Sequence, residues 1–539
     1  MMMIKHLNIT LILIFTGYTY VYSQNYDANY FPWKNAVNSK VSPDSVFNNI
    51  PDDNFEKVSA LVITIQGTDT ISQSMLNRFD KLTNVRELSV VSRHHISDGY
   101  MVPNQEVYKY NFRLIAKHFS KLAKLQNLYV TWADSLVMTD ILKCNKIKRL
   151  CLSTRDPIPT DWHQLAGLEW LNISSMIFPE FKGLNKLEKL YLGVPYNRTK
   201  NDVDALIPSS IGELTNLTEL MINGAFSEIP STIGNLQKLN KLFINGHLKT
   251  LPESFGNLKV LTFFYLGITK QDKFLFPSSF GNLNNLSKFY ISTDGELSGF
   301  TPFKKLLNLK KLILTCSNNK IPKEIFSLKN LQFLGLDNFT TGNIPSEISN
   351  LKSLEILSIN LSKTDTVFLP VSLSKLSGLK SISILCNENN KTLFVKGMNV
   401  FTKFNHQFSL IIPNVDISNN FISLQNSDSL SYLVVDGKYY SGFQTEFKKM
   451  QQLTDLKIIR HKIYPPIITQ EIDTIRNAKE RQYQIFLRQE KLKYMQPEYE
   501  PSEQDLTNLQ KLMPNTNITF IDSYSKVESG LWCCPEFEW

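Results

Sequence analysis

The chain has 539 residues, enough for several globular domains or one long array. Apolar residues make up 42% of it, which excludes a disordered class. A net charge of +9 without any dense Lys/Arg run gives no footprint for nucleic acid, and six cysteines over this length make no disulfide framework.

The first residues have the plan of an export signal. Lys5 supplies a positive start, and Leu7 to Phe15 is apolar apart from Asn8 and Thr10. Val21 and Ser23 are small residues suited to a cut, so residues 1–23 are expected to leave and Gln24 to become the new start. The competing reading is a buried strand. The stretch is shorter than the roughly 20 apolar residues a membrane helix needs, and no later segment reaches that length. Residues 24–54, with Phe31 and Trp33, are expected to cover the start of the array that follows.

From residue 55 to 465 the chain repeats itself. L-x-x-L-x-L recurs as Leu217, Leu220, Ile222; Leu239, Leu242, Ile244; Leu261, Phe264, Leu266; Leu286, Phe289, Ile291; Leu309, Leu312, Leu314; Leu331, Leu334, Leu336; and Leu354, Leu357, Ile359, in steps of 22 to 25 residues. A second phrase keeps the same phase: IPSSIGELTNL from Ile207, IPSTIGNLQKL from Ile229, LPESFGNLKVL from Leu251 and IPSEISNLKSL from Ile344. Weaker copies lie at Val85, Leu125, Ile147, Leu168 and Leu187 before it, and at Leu379, Leu430 and Leu453 after it. Irregular stretches near 92–120 and 388–428 read as insertions or degenerate repeats.

These two phrases resemble the leucine-rich-repeat family, in the version whose variable half reads I-P-x-x-I-G-x-L-x-x-L. The resemblance implies an α/β solenoid: a leucine-rich-repeat horseshoe of about 16–18 repeats with a parallel β-sheet on its concave face. The physics agrees. L-x-L alternates like a strand, while the Pro lacks a ladder donor and belongs in the return segment. The Gly or Asn beside the later Leu is expected to permit a tight turn back. The family usually places Asn three residues after the last Leu of the strand. Here Pro195, Ala225, His247, Ser317 and Phe339 stand there, with Asn387 the exception, so a different turn is expected.

Residues 466–500 are charged and rich in helix formers from Thr469 to Met495, with Pro497 as a stop. They are expected to form a capping helix or an inserted one, since 505–522 again looks repeat-like. Residues 501–539 make up that last segment and a tail.

Candidate chemistry is sparse. His94 and His95, with Asp98, fall in a loop and lack a metal-site spacing. No nucleophile-elbow, zinc-protease, phosphate-loop or dinucleotide phrase occurs, so no catalytic residue, metal or cofactor is assigned. Cys316 and Cys386 occupy equivalent places three repeats apart, about 14 Å by strand spacing, too far for a disulfide. Cys533 and Cys534 are vicinal in the tail. No cysteine precedes Cys144, so the disulfide-bonded N-terminal cap usual in secreted animal and plant members cannot form. The chain therefore resembles exported bacterial members. One enzymatic bacterial subgroup carries a Cys-x-Asp ubiquitin-ligase site; Cys534-Pro535-Glu536 lacks the Asp.

Binding is expected on the strand positions between the leucines. The central outward column reads Tyr191, Met221, Phe243, Tyr265, Tyr290, Ile313, and the flanking column includes Lys189, Lys241, Phe263, Lys288 and Lys311. The candidate binding residues are Tyr191, Phe243, Phe263, Tyr265, Lys288, Tyr290 and Lys311. Such a strip suits a protein or polysaccharide ligand. The alternative is that tall strand residues pack against each other across repeats. The expectation is an exported, non-catalytic binding protein, secreted or at the cell surface. A structural or self-associating surface element is the second reading and an enzyme the third.

Overall fold

The computed structural model describes residues 55–459 and 503–521, apart from internal gaps of ten residues or fewer, together with Ile9–Ile12, Ile14–Phe15 and Asn38–Ser39. The described residues fall into two compact units, one ending at Leu306 and one starting at Leu307.

The unit ending at Leu306 is built of parallel strands taken in chain order. Val58–Ile65, Glu87–Ser92, Asn127–Val130, Arg149–Ser153, Trp170–Ser174 and Lys189–Gly193 each pair with the next. Glu219–Asn223, Lys241–Gly246, Phe263–Ile268 and Lys288–Thr293 continue the same in-register ladder. The register follows from period-2 alternation. Leu190, Leu220, Leu242, Phe264 and Phe289 align across five strands, and each is 0% exposed. A single repeat could not bury these side chains; the stack does.

The return segments change along this unit. Early ones are α-helices, Gln73–Phe79, Gln105–Ala116 and Ser135–Leu142. The first and third are capped by Ser72 accepting from the Met75 amide and Asp134 from the Leu136 and Val137 amides. From His163–Leu165 onward they are short 3-10 turns. Wherever the I-P phrase occurs, the proline sits just before the turn, as at Pro208, Pro230 and Pro252, with φ between −62° and −66°. The glycine has another role than the one expected. Gly234 has no positive φ; a Cβ there would lie 2.4 Å from the Ser254 carbonyl of the next repeat. Close stacking of successive turns requires it.

The unit from Leu307 repeats this plan. Its strands Lys311–Cys316, Phe333–Asp337, Ile356–Asn360, Ser381–Leu385, Phe408–Ile412, Leu430–Asp436, Asp455–Ile459 and Asn517–Ile521 pair in parallel, each with the next. Both units together carry about 18 parallel strands, which makes the fold that of a leucine-rich-repeat solenoid. The irregular stretch 388–428, expected to be an insertion or a degenerate repeat, contains a strand of the main sheet, Phe408–Ile412. Near 92–120 the chain adds an antiparallel pair at Ile96–Ser97 and Tyr100–Met101 before the helix Gln105–Ala116. Asn517–Ile521 pairs directly with Asp455–Ile459.

Ile9–Ile12, inside the expected leader, is a strand parallel to Val58–Ile65. His94, His95, Asp98, Cys386, Cys533, Cys534, residues 24–37 and the helix expected over 469–495 lie outside the described residues.

Candidate functional site

Each inward ladder leaves a second set of side chains on the opposite face of the sheet, where they form columns with one residue per strand. In the unit ending at Leu306 the central column is Tyr191, Met221, Phe243, Tyr265, Tyr290, aligned by register. The column before it is Trp170, Lys189, Glu219, Lys241, Phe263, Lys288. The structure therefore brings six of the seven expected binding residues together on one face. The seventh, Lys311, belongs to the other unit, where its ammonium lies 4.6 Å over the Phe333 ring.

The expected exposure needs correction. Phe243 and Tyr265 are half-buried, but Tyr191, Phe263 and Tyr290 are 7%, 3% and 4% exposed. Neighbouring strands stand about 4.8 Å apart, so tall side chains in register meet face to face. The Phe243 and Tyr265 rings stack at 4.3 Å with 3° between their planes. Phe263 and Tyr290 meet diagonally at 5.4 Å. Part of the strip is thus ring-on-ring packing, as the alternative held, and the half-exposed remainder centres on the Phe243–Tyr265 stack with Lys241 and Lys288 partly exposed beside it.

At the other end of the strip a polar bracket fixes the aromatics. The Tyr191 hydroxyl donates to Glu219 Oε1 at 2.6 Å, and Lys189 Nζ lies 3.2 Å from Glu219 Oε2. Glu219 is buried, so the tyrosine and the lysine together compensate its charge. Trp170 packs edge-on against Tyr191 at 5.5 Å, and the Arg149 guanidinium sits 5.1 Å over the Trp170 ring. Sequence reasoning missed Arg149, Trp170 and Tyr129. Their signal was present, since they are the outward positions of the weaker copies at Leu125, Ile147 and Leu168. Burial raises the pKa of Tyr129; Arg149 opposes that shift, and Glu87 and Cys151 add to it. Burial likewise pushes the Cys151 thiol up to about 12, so at neutral pH it is protonated and no nucleophile.

Further along the same face Asn245 Nδ2 donates to Asn223 Oδ1 at 3.0 Å. The family's usual asparagine is replaced beyond the strand by His247, whose Nδ1 lies 2.7 Å from Asp204 Oδ1. This contact between an imidazole and a carboxylate stands at the turn where the family has its asparagine.

The unit from Leu307 carries a different face. Its central column is Ile313, Gly335, Ser358, Ser383, Ile411, Val434. Leu385, Ile411, Val434 and Ile459 form a buried apolar cluster there, with Tyr432 and Ile521 packed on it. Sequence reasoning passed over this column because serine and glycine give no aromatic signal. Among the described residues no group of three His, Cys, Asp or Glu could hold a metal ion, and no helix is long and apolar enough to cross a membrane.

No family model matches the chain, and no curated protein does. Several solved structures are similar to it. A leucine-rich-repeat protein of Leptospira interrogans is 17% identical over 87% of this chain and 92% of that one, with a TM-score of 0.44. An internalin from Listeria monocytogenes is 18% identical over 73% of this chain and 93% of that one, with a TM-score of 0.40. The complex of TLR13 with ssRNA13 is 17% identical over 75% of this chain and 58% of that one, with a TM-score of 0.47.

Proposed function

We propose that the chain is an exported, non-catalytic binding module, and that the outward sheet face between Trp170 and Thr293 recognises a protein or a glycan. The observation that carries the reading is the half-buried stack of Phe243 on Tyr265, flanked in register by Lys241 and Lys288. Flat aromatic area with cationic groups beside it suits a ligand that offers apolar patches and acidic or hydroxyl-rich edges. Binding here needs no chemistry beyond contact.

The test is capture of ligand from medium and cell-surface extracts by the full-length chain and by a Phe243→Ala, Tyr265→Ala variant. Capture by the parent and loss by a variant that is still fully folded at the assay temperature would support the reading, because central aromatic anchors carry most interface energy. Equal capture by both would overturn it. Light scattering at several concentrations addresses the structural alternative. Growth of mass with concentration, abolished by the same double substitution, would make the strip a self-association surface.

A further inference from the structure

Between Trp170 and Thr293 the outward face has an orientation and a charge that restrict its partner. The Phe243 and Tyr265 rings lie 4.3 Å apart with 3° between their planes, so each spends one flat side on the other. Their outer sides look along the column toward Met221 and Tyr290, which are in register and buried. What the stack turns outward is its rim. An aromatic ring is negative on its flat side and positive at its edge. A sugar ring would lay its C–H groups on an open flat side, which this stack does not offer. Carboxylate and carbonyl oxygens are drawn to the edge instead.

Charge agrees. The outward positions of these strands carry Lys189, Lys241 and Lys288 against one carboxylate, Glu219. Glu219 is buried and held by Tyr191 and Lys189. Lys241 and Lys288 are partly exposed and stand on either side of Phe263. On the other flank of the stack lies an amide pair. Asn245 Nδ2 donates to Asn223 Oδ1, which leaves the Asn223 nitrogen to donate and the Asn245 oxygen to accept. Both residues are partly exposed, and those two functions complement a peptide group. Gly267 keeps the space open, since a Cβ there would lie 2.6 Å from Asn245 Oδ1 and 3.3 Å from Tyr265 Cε1. In the unit from Leu307 the column of Gly335, Ser358 and Ser383 is buried, and Ser358 Oγ and Ser383 Oγ carry no hydrogen bond, so it gives a solvent-borne chain no such grip.

Building on the binding role proposed for this face, we propose that its partner is an acidic polypeptide segment. Side-chain carboxylates of the segment meet Lys241, Lys288 and the ring edges, and its backbone amides meet Asn223 and Asn245.

Fluorescence anisotropy of the full-length chain with labelled poly-L-glutamate tests it, beside polygalacturonate and polyacrylate of matched charge. Polygalacturonate carries its carboxylates on sugar rings, and polyacrylate carries them without peptide groups. Poly-L-glutamate should bind at least about tenfold more tightly than either. Lys241→Glu with Lys288→Glu should weaken it at least about tenfold. Gly267→Ala displaces only the ends of side chains, so the chain should stay folded while the margin over polyacrylate shrinks. No binding of poly-L-glutamate, matching affinity for either other polymer, or unchanged affinity in the lysine variant overturns the proposal. Those results leave the binding role standing if the Phe243→Ala, Tyr265→Ala variant still loses its captured ligand. Unchanged capture by that variant overturns the binding role and this assignment together.

Discussion

Lys241–Gly246 with Phe263–Ile268, and Ile356–Asn360 with Ser381–Leu385, are two strand pairs built on the same inward ladder with opposite outward faces. Inward, Leu242 and Phe264 in the first pair match Leu357 and Ile382 in the second, all 0% exposed. Outward, the first pair stacks Phe243 on Tyr265, while the second sets Ser358 beside Ser383. The same parallel, in-register ladder therefore carries either a raised aromatic ridge or a low polar floor. The fold constrains one side of the sheet and leaves the other to be specified by single residues.

The largest expected effect separates the two sides of one strand. Leu242→Ala removes a fully buried side chain and should cost about 2–5 kcal/mol in urea unfolding. Phe243→Ala, one residue on, loses a half-buried stack and should cost about 1 kcal/mol. If the order reverses, the assigned faces are wrong.

The low floor is tested next, by size. Ser358→Phe should destabilise by about 1–3 kcal/mol, because a fully buried position has no room for a ring. Ser358→Ala removes an unbonded buried hydroxyl and should be neutral or stabilising by up to about 1 kcal/mol. A loss of more than that on Ser358→Ala would mean that the hydroxyl has a partner.

The ridge has its own weak point at Tyr191. Tyr191→Phe keeps the ring but removes the donor to buried Glu219, and should cost about 1–2 kcal/mol. The loss should shrink in a Glu219→Gln background, as a thermal-melting double-mutant cycle would show.

The smallest effect lies near the start of the array and depends on pH. Burial pushes the Asp80 carboxyl up, but hydrogen bonds from Lys121 and His118 outweigh it and hold the pKa below 3.8. A carboxylate lowered in the folded state contributes stability above its unfolded pKa and loses it as pH falls through the folded value. The contribution should thus be complete near neutrality, begin to fade as pH approaches the ordinary carboxylate value of about 3.8, and be gone only below the lowered folded value. Asp80 is partly exposed, so Asp80→Asn should cost only about 0.5 kcal/mol at pH 7, vanishing in acid. A pH-independent cost would assign the effect to packing.

Much of this was legible residue by residue. Leu217, Leu220 and Ile222 announced a strand because alternation and a fixed step are properties of the chain alone, and Pro208 announced the turn before it. The role of Gly234 was not legible: its constraint comes from the Ser254 carbonyl in another repeat. Nor was the burial of Tyr290 and Phe263, since outward position says which way a side chain leaves the sheet but not what meets it there. The strand at Phe408–Ile412 was read as irregular because its flanking phrase has lost the proline and glycine, although its hydrogen-bonding neighbours keep it in line.

The sequence by itself determined the repeat, its period, the parallel strands and the two faces of each strand, because period-2 alternation and proline chemistry act within a few residues of chain. Tertiary structure alone decided which outward residues stay accessible and which oxygens go unpartnered. Those properties arise between strands 22 to 25 residues apart, where a 4.8 Å spacing makes each side chain the neighbour of residues no local pattern records.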